Sequence, residues 1–223
     1  MKKLALALAA STALVGLPLA ALAQNRAPAA TRAPIAGELS GAQRSAALTE
    51  ASAALNRIAA VQGRFTQIAP DGSQAVGRIY MQRPGKLRFE YDPPSPLTIV
   101  ADGSVVAVED RSMRDIQRVP LRSTPLFYVL KPQVNLEQDA RITRVVQQGD
   151  NLFVSARDRS GQADGEITIT FAGASRELKQ WSITDGQRQT TRITLSQVQT
   201  AARLDPKLFR VASYDNLARP KNR

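Results

Sequence analysis

The chain has 223 residues, which is the size of one ordinary domain with short extensions. It contains no cysteine and no histidine, so thiol nucleophiles, disulfides, Cys/His zinc sites and histidine-based catalytic triads are excluded. Hydrophobic residues make up 43% of the chain, as in globular proteins with a sizeable core. Lys and Arg number 30 against 19 Asp and Glu, and the net charge of +11 favours anionic partners such as nucleic acid or a lipid surface.

The N-terminus, residues 1–23, has the three regions of a secretory signal peptide. Two lysines precede an apolar run over residues 4–17, and Ala21 and Ala23 form a small-residue cleavage site before Gln24. An uncleaved anchor is the alternative, because the run approaches the roughly 20 residues that span a bilayer. Since no cysteine is present for lipidation, we expect a soluble, exported product in the periplasm with a net charge of +9 after loss of the two lysines. Export argues against nucleic acid and favours membrane phosphates or an acidic protein as partners.

Both ends of the exported chain lack a hydrophobic period. Residues 24–40 are rich in Ala and Pro, which predicts a disordered tether. Residues 214–223 form a basic C-terminal tail. One domain is therefore expected over residues 41–213.

The first periodic segment predicts an amphipathic helix over residues 41–61. Ser40 and Gln43 have the spacing of a capping box, and Gly63 marks the end of the pattern. Between them, apolar residues recur at steps of three and four: Leu48, Ala51, Leu55 and Ile58.

After Gly63 the hydrophobic period changes from 3.6 to two, which predicts strands. Turn signals made of Gly, Pro, Asp and Asn separate the alternating segments, so about ten short antiparallel strands are expected, joined mostly as hairpins. The residues expected to alternate on one side are Phe65, Gln67, Ile79, Met81, Leu87, Phe89, Tyr91, Ile99, Val106, Val108, Ile167, Ile169, Phe171, Trp181 and Ile183. Trp181 is assigned to the core, where its indole N–H needs a partner.

One segment inside the run of strands is helical in pattern. Ser123 and Thr124 supply an N-cap, Pro125 suits the first turn, and Lys131 followed by Pro132 ends the helix. The segment is crowded with apolar side chains: Leu126, Phe127, Val129 and Leu130. A helix of about two turns is unstable alone in water, so it must dock on or inside the sheet.

These elements predict a mainly β fold with an N-terminal helix, a long antiparallel sheet that curves or closes to protect its edges, and a short inserted helix. Two helices against a curved sheet can cover an apolar hollow. The alternation of apolar and polar residues alone, however, favours a solid core without a cavity.

Five short stretches of the sequence are each weak evidence for a family, but their order along the chain is specific. They are Gly-Arg-Phe-Thr-Gln at 63–67, Arg-Pro-Gly-Lys-Leu-Arg-Phe-Glu-Tyr at 83–91, Ile-Val-Ala-Asp-Gly at 99–103, Thr-Pro-Leu at 124–126 and Leu-Asp-Pro-Lys-Leu-Phe-Arg-Val at 204–211. In this order they resemble the family of periplasmic outer-membrane lipoprotein carriers, over about residues 40–211.

The resemblance implies an incomplete, half β-barrel of about 10–11 strands covered by helices. Its apolar cavity would shield the acyl chains of lipoproteins that pass from an inner-membrane ABC exporter to an outer-membrane receptor, or to the outer membrane itself. It implies a monomer, with no catalysis, cofactor or metal. The candidate cavity residues are Phe65, Ile79, Met81, Leu87, Phe89, Tyr91, Ile99, Leu126, Phe127 and Leu130.

Arg83 is the most informative charge, because it continues the face of Ile79 and Met81 and would point inward at the end of its strand. A buried unpaired guanidinium is costly, so it should donate hydrogen bonds to carbonyls or hydroxyls of a covering helix. The family has a functional arginine before this proline, and the resemblance implies that Arg83 latches the lid of the empty cavity. An exposed hairpin arginine is the alternative.

Three other functions remain open at this point. The same fold could carry a free lipid such as a glycolipid or a polycyclic lipid. A related module could sense misassembled lipoproteins. A basic protein with no cavity could bind polyanions, with an affinity that falls steeply as salt is added.

Overall fold

The computed structural model describes residues 36–161 and 164–212. The predicted signal peptide, the predicted C-terminal tail and the greater part of the predicted tether lie outside the described residues. No helix in the described part of the chain is long and apolar enough to cross a membrane.

One antiparallel sheet of eleven strands dominates the described residues. The strands are β1 (Ala60–Ile68), β2 (Gln74–Gln82), β3 (Lys86–Tyr91), β4 (Leu97–Asp102), β5 (Val105–Asp110), β6 (Asp115–Pro120), β7 (Ala140–Gln148), β8 (Asn151–Asp158), β9 (Glu166–Ala172), β10 (Glu177–Thr184) and β11 (Thr190–Thr200). The helices are α1 (Gly41–Arg57), α2 (Phe127–Leu130) and α3 (Leu136–Asp139), with 3₁₀ turns at Leu121–Ser123 and Pro206–Phe209.

The strand order is β6-β5-β4-β3-β2-β1-β11-β10-β9-β8-β7. Most neighbours are hairpin partners, and the pairing of β1 with β11 joins two meanders into one sheet. Within the described residues β6 and β7 stay unpaired with each other, so the barrel is incomplete. The predicted mainly β, half-barrel fold is confirmed.

Helix α1 begins as predicted but ends at Arg57 rather than at residue 61. Ile58 is already extended, and Val61 pairs with Met81 and Thr200 as part of β1. Strand pairing therefore overrides the helical period at these β-branched residues. The predicted capping box is wrong, because the side chain of Ser40 makes no cap hydrogen bond.

The inserted helix α2 is a single turn, shorter than predicted. Thr124 is extended and its hydroxyl donates to the Leu121 carbonyl at 2.8 Å, so it closes the preceding 3₁₀ turn instead of capping α2. Helix α3 was missed in the sequence, although Asn135 accepts from the Gln138 backbone N–H as an N-cap does.

The core lies between the concave face of the sheet and the helices. Leu48, Ala51 and Leu55 of α1 are at most 1% exposed and belong to the same buried cluster as the inward residues of the strands. Trp181, Phe65 and Phe171 are the largest fully buried side chains of that cluster. Each fully buried large apolar side chain contributes about 1.5–3 kcal/mol.

The edge of β7 is paired with the chain that precedes α1. The Leu39 N–H donates to the Val145 carbonyl and the Gln147 N–H to the Gly37 carbonyl, both at 2.8 Å. These residues were assigned to the tether, so the ordered domain begins before residue 41. The pairing protects an edge strand that would otherwise expose its backbone groups.

The segment 204–212 crosses the convex face of the sheet. Arg88 donates to the Leu208 carbonyl at 3.1 Å, and the Ala212 N–H donates to a carboxylate oxygen of Glu109 at 2.7 Å. This cover explains why Glu109, on the outer side of β5, is 5% exposed.

Gly77 of β2 gives a stability test of the sheet. A Cβ at this position would lie 2.1 Å from the Glu90 carbonyl oxygen and 2.5 Å from the Phe65 ring. We expect Gly77→Ala to lower the free energy of unfolding by about 1–3 kcal/mol, because neither neighbour can move freely in a packed core. Urea unfolding followed by circular dichroism measures the change.

Gly186→Ala is the matched control, since a Cβ there meets nothing within 4 Å. Its free energy of unfolding should change by less than about 0.5 kcal/mol. Equal stability of the two variants would contradict the strand packing described.

Candidate ligand-binding site

The ten candidate cavity residues come together in the structure. Nine are buried, with exposures of 9% or less, and Phe127 is half-buried against the same cluster. Seven come from β1 to β4 on the concave face: Phe65, Ile79, Met81, Leu87, Phe89, Tyr91 and Ile99. Their side chains pack against one another and against the helices, so the site is closed.

Aromatic contacts run through the buried cluster, and one of them connects the two meanders. The ring of Phe65 lies edge-to-face with Phe89 at 4.8 Å and with Tyr91 at 5.1 Å between centroids. The ring of Phe89 also lies 6.1 Å from that of Trp181 on β10. Edge-to-face pairs of this kind add about 0.5–1.5 kcal/mol each to the burial of the rings.

A hydrogen-bonded polar pair lies inside this apolar cluster. The Tyr91 hydroxyl donates to the side-chain oxygen of Gln67 at 2.6 Å, and both residues are less than 5% exposed. Burial raises the pKa of the Tyr91 hydroxyl above its usual value, so this group stays protonated as a donor.

Arg83 lies in the turn between β2 and β3 and connects that turn to the helical cover. Its guanidinium donates to the Leu55 carbonyl at the end of α1 and to the Asn56 side-chain oxygen at 3.0 Å. It also donates to the carbonyls of Lys131 at 2.7 Å and Pro132 at 3.3 Å, just after α2. Partial burial lowers the pKa of Arg83 from its usual value.

The side chains of Asn56 and Ser52 join α1 to the segment that contains α3. Asn56 donates to the Val134 carbonyl at 2.8 Å and accepts from the Val134 N–H at 2.9 Å. The Ser52 hydroxyl accepts from the Leu136 N–H at 3.0 Å. Neither residue was predicted from the sequence, although their four-residue spacing places them on one face of α1.

A second set of contacts holds α1 to the turn between β9 and β10. Arg57 donates to the Ser175 carbonyl at 2.8 Å, and Arg176 forms a salt bridge with Glu50 at 3.0 Å. Helix α1 is therefore held by polar contacts to both meanders of the sheet.

A groove of about 520 Å³ opens beside the C-terminal half of α1. Its apolar side chains are Ala54, Ile58, Val61, Met81, Leu178, Leu195 and Val198, and its charged side chains are Arg57, Arg176, Glu177 and Lys179. Of the ten candidate residues, all of them described by the structure, Met81 alone borders the groove.

An irregular pairing of β11 shapes this groove, and alternation could not reveal it. The register of β1 against β11 shifts between Gln62 and Arg64, and Gln197 has a left-handed backbone at φ 52°. A Cβ on Gly63 would lie 2.9 Å from the Ser196 carbonyl oxygen, so glycine permits this close approach.

The sequence was compared with known families and proteins. The family model described as "Outer membrane lipoprotein carrier protein LolA" matches residues 56–212. An outer-membrane lipoprotein carrier protein of Chromobacterium violaceum is 27% identical, with 83% of this chain and 92% of the relative aligned. That of Methylococcus capsulatus is 28% identical, with 67% of this chain and 75% of the relative aligned.

The structure was compared with solved structures. A LolA superfamily protein of Nitrosomonas europaea aligns with 74% of this chain and 96% of its own chain, at 11% identity and a TM-score of 0.45. A putative outer membrane lipoprotein-sorting protein domain of Vibrio parahaemolyticus aligns with 73% of this chain and 95% of its own, at 9% identity and a TM-score of 0.48.

The Tyr91–Gln67 pair provides a test of the closed interior. Tyr91→Phe leaves the Gln67 oxygen without its donor in a buried site, so the free energy of unfolding should fall by about 1–3 kcal/mol. Tyr80→Phe is the control, because Tyr80 is half-buried and its hydroxyl makes no hydrogen bond within the described residues. Urea denaturation of both variants makes the comparison, and equal losses would contradict a closed interior.

Proposed function

The chain belongs to the family of outer membrane lipoprotein carrier proteins, and we propose that it is a soluble periplasmic carrier that shields the acyl chains of lipoproteins and takes them from the inner to the outer membrane. One observation carries the proposal for this chain. The concave face of the sheet is covered by helices that polar contacts hold at their ends, and beneath them lies a continuous apolar cluster.

A carrier has to compete with the membrane for its cargo. Each acyl CH₂ group favours the bilayer by about 0.8 kcal/mol, so a chain of about 15 carbons favours it by roughly 12 kcal/mol. Only comparable apolar burial can balance this preference. The ten clustered candidate residues supply aliphatic, aromatic and Met surfaces of the required kind.

The proposed binding cycle exchanges one apolar contact for another. In the empty protein the candidate residues pack against each other and against α1, and in the loaded protein acyl chains would take the place of the helix. Because the interior is apolar in both states, the free energy of loading stays small, and release needs no separate energy source.

Arg83 is proposed to latch the cover of the empty protein. Its hydrogen bonds join α1 and the segment after α2 to the β2–β3 turn, and each bond from the charged guanidinium contributes about 1.5–3 kcal/mol net. Their sum is smaller than the burial energy of the three acyl chains of a triacylated lipoprotein, so incoming cargo can break them. These hydrogen bonds then shift the equilibrium between the loaded and the empty carrier toward the closed, empty state.

The groove beside α1 is proposed as the entrance for the acyl chains. Its floor includes Met81, which also belongs to the central cluster, so a chain that lies in the groove is next to the interior. Arg57 and Lys179, two of its charged lining residues, would attract anionic groups of a donor, a receptor or a membrane.

The partners proposed for this carrier are acylated lipoproteins as cargo, an inner-membrane ABC exporter as donor, and a receptor lipoprotein or the outer membrane itself as acceptor. The carrier is proposed to act as a monomer and without catalysis. Its net positive charge would raise the rate of encounter with acidic receptors and anionic lipid.

Release of lipoproteins from spheroplasts tests the proposed cargo. The purified protein is incubated with spheroplasts, and the supernatant is assayed for triacylated lipoproteins that co-purify with it. We expect a soluble complex of carrier and lipoprotein. Extraction of free lipid alone would support the free-lipid alternative, and extraction of neither would contradict a carrier function.

Substitution of Arg83 tests the latch. Arg83→Leu should still take up lipoprotein, but it should pass the cargo to outer-membrane vesicles about tenfold more slowly, because the closed empty state has lost its hydrogen bonds. Transfer is measured by immunoblotting of the vesicles over time.

Arg78→Leu is the matched control, because Arg78 is exposed on the outer side of β2 and pairs with Glu90 at 3.4 Å. This variant should transfer cargo at the parent rate. The proposed latch role of Arg83 is contradicted if Arg83→Leu also transfers cargo at the parent rate.

A further inference from the structure

Six buried side-chain polar atoms of the described residues have no hydrogen-bond partner, and two of them belong to uncharged residues on the core side of the sheet. They are the indole N–H of Trp181 and the hydroxyl of Thr191. Trp181 is 1% exposed and Thr191 is 4% exposed, so water does not reach either residue from the surface. Buried polar side chains nearly always have a partner, and each exception calls for an explanation.

Strand pairing places both groups on the concave face. Trp181 of β10 lies opposite Ile193 of β11, and Ile183 lies opposite Thr191. Because directly opposed residues share a face, and residues two apart in a strand share it too, Trp181 and Thr191 are diagonal neighbours on the same side of the sheet. Diagonal neighbours lie about 7–8 Å apart, close enough to contact one ligand together.

This face is the one that borders the proposed binding space. The ring of Trp181 lies 6.1 Å from that of Phe89, a candidate acyl-contact residue. Leu195, which follows Thr191 and Ile193 on the buried side of β11, lines the groove. The two unpartnered groups therefore lie on the same face of the sheet as the groove residue Leu195.

The chemistry of the two groups limits the ligand that can satisfy them. An indole N–H can only donate a hydrogen bond, and a hydroxyl can donate one while it also accepts. The hydrocarbon part of an acyl chain has no acceptor to offer. The acyl group does carry one, since each chain is attached through an ester or amide with a carbonyl oxygen.

We propose that Trp181 and Thr191 donate hydrogen bonds to the carbonyl oxygens of the ester or amide groups of the bound acyl chains. This inference rests on the proposed carrier function and adds a recognition element to it. The two donors lack partners in the closed protein and gain them on loading. They would fix the position of the acyl carbonyl groups in the binding space. They would also distinguish acylated ligands from other hydrophobic molecules.

Ester and ether lipids of equal chain length test the inference. Dioctanoylglycerol has two carbonyl oxygens, and dioctylglycerol has CH₂ groups in their place. Burial alone favours the ether lipid, which is the more apolar of the two. We expect the purified protein to bind the ester lipid about tenfold more tightly, as measured by displacement of anilinonaphthalene sulfonate.

Variants assign the preference to the two side chains. Trp181→Phe and Thr191→Val should each reduce the ester preference severalfold, and the second variant keeps the shape of the side chain in case the first one unfolds. Thr170→Val is the matched control. Thr170 is also buried and unpartnered, but it alternates with the core residues Ile169 and Phe171 and so lies on the opposite face.

The outcomes separate this inference from the proposed function. The inference is supported if the parent binds the ester lipid more tightly than the ether lipid, if both variants weaken this preference, and if Thr170→Val leaves it unchanged. Equal binding of the two lipids by the parent, or a preference that survives in both variants, overturns it and leaves the carrier function standing. Binding of neither lipid would overturn the carrier function and the inference together.

Discussion

A curved sheet with an apolar concave face is stable in water only when something covers that face, and the rest of this structure depends on that constraint. In this structure the cover is α1, with α2 and α3 beside it. The proposed carrier needs a cover that excludes water and can still dissociate from the sheet. The composition of α1 fits this proposal, because three of its five buried residues are alanines: Ala47, Ala51 and Ala54.

Small side chains bury little area, so the apolar attraction of α1 for the sheet rests mainly on Leu48 and Leu55. Polar contacts then determine where the helix sits. Arg83 contacts the C-terminal end of α1, Asn56 joins the helix to the α3 segment, and Arg57 contacts the opposite meander. Hydrogen bonds to fixed carbonyls define one position of the helix, and the proposed cycle requires that bound cargo can break them.

The sequence predicted the sheet well, because alternation and turn residues are local signals. It also indicated the inward direction of Arg83, since a strand continues its face to its end. The elements that it misjudged depend on tertiary contacts. The end of α1 is set by the pairing of Val61 in β1, and the groove is set by the bulge at Gln197 against Gly63. The hydrophobic period of the sequence predicts neither the end of α1 nor the position of the groove.

Trp181 permits the most direct test of the central claim, that acyl chains enter the space now filled by the apolar core. It is the only tryptophan in the sequence and is 1% exposed within that core. The protein would be titrated with a lipopeptide whose acyl chains carry bromine atoms, which quench tryptophan emission at contact range. The account predicts strong quenching that saturates with binding. A lipopeptide that binds without changing the emission of Trp181 would place the chains outside the core and contradict the account.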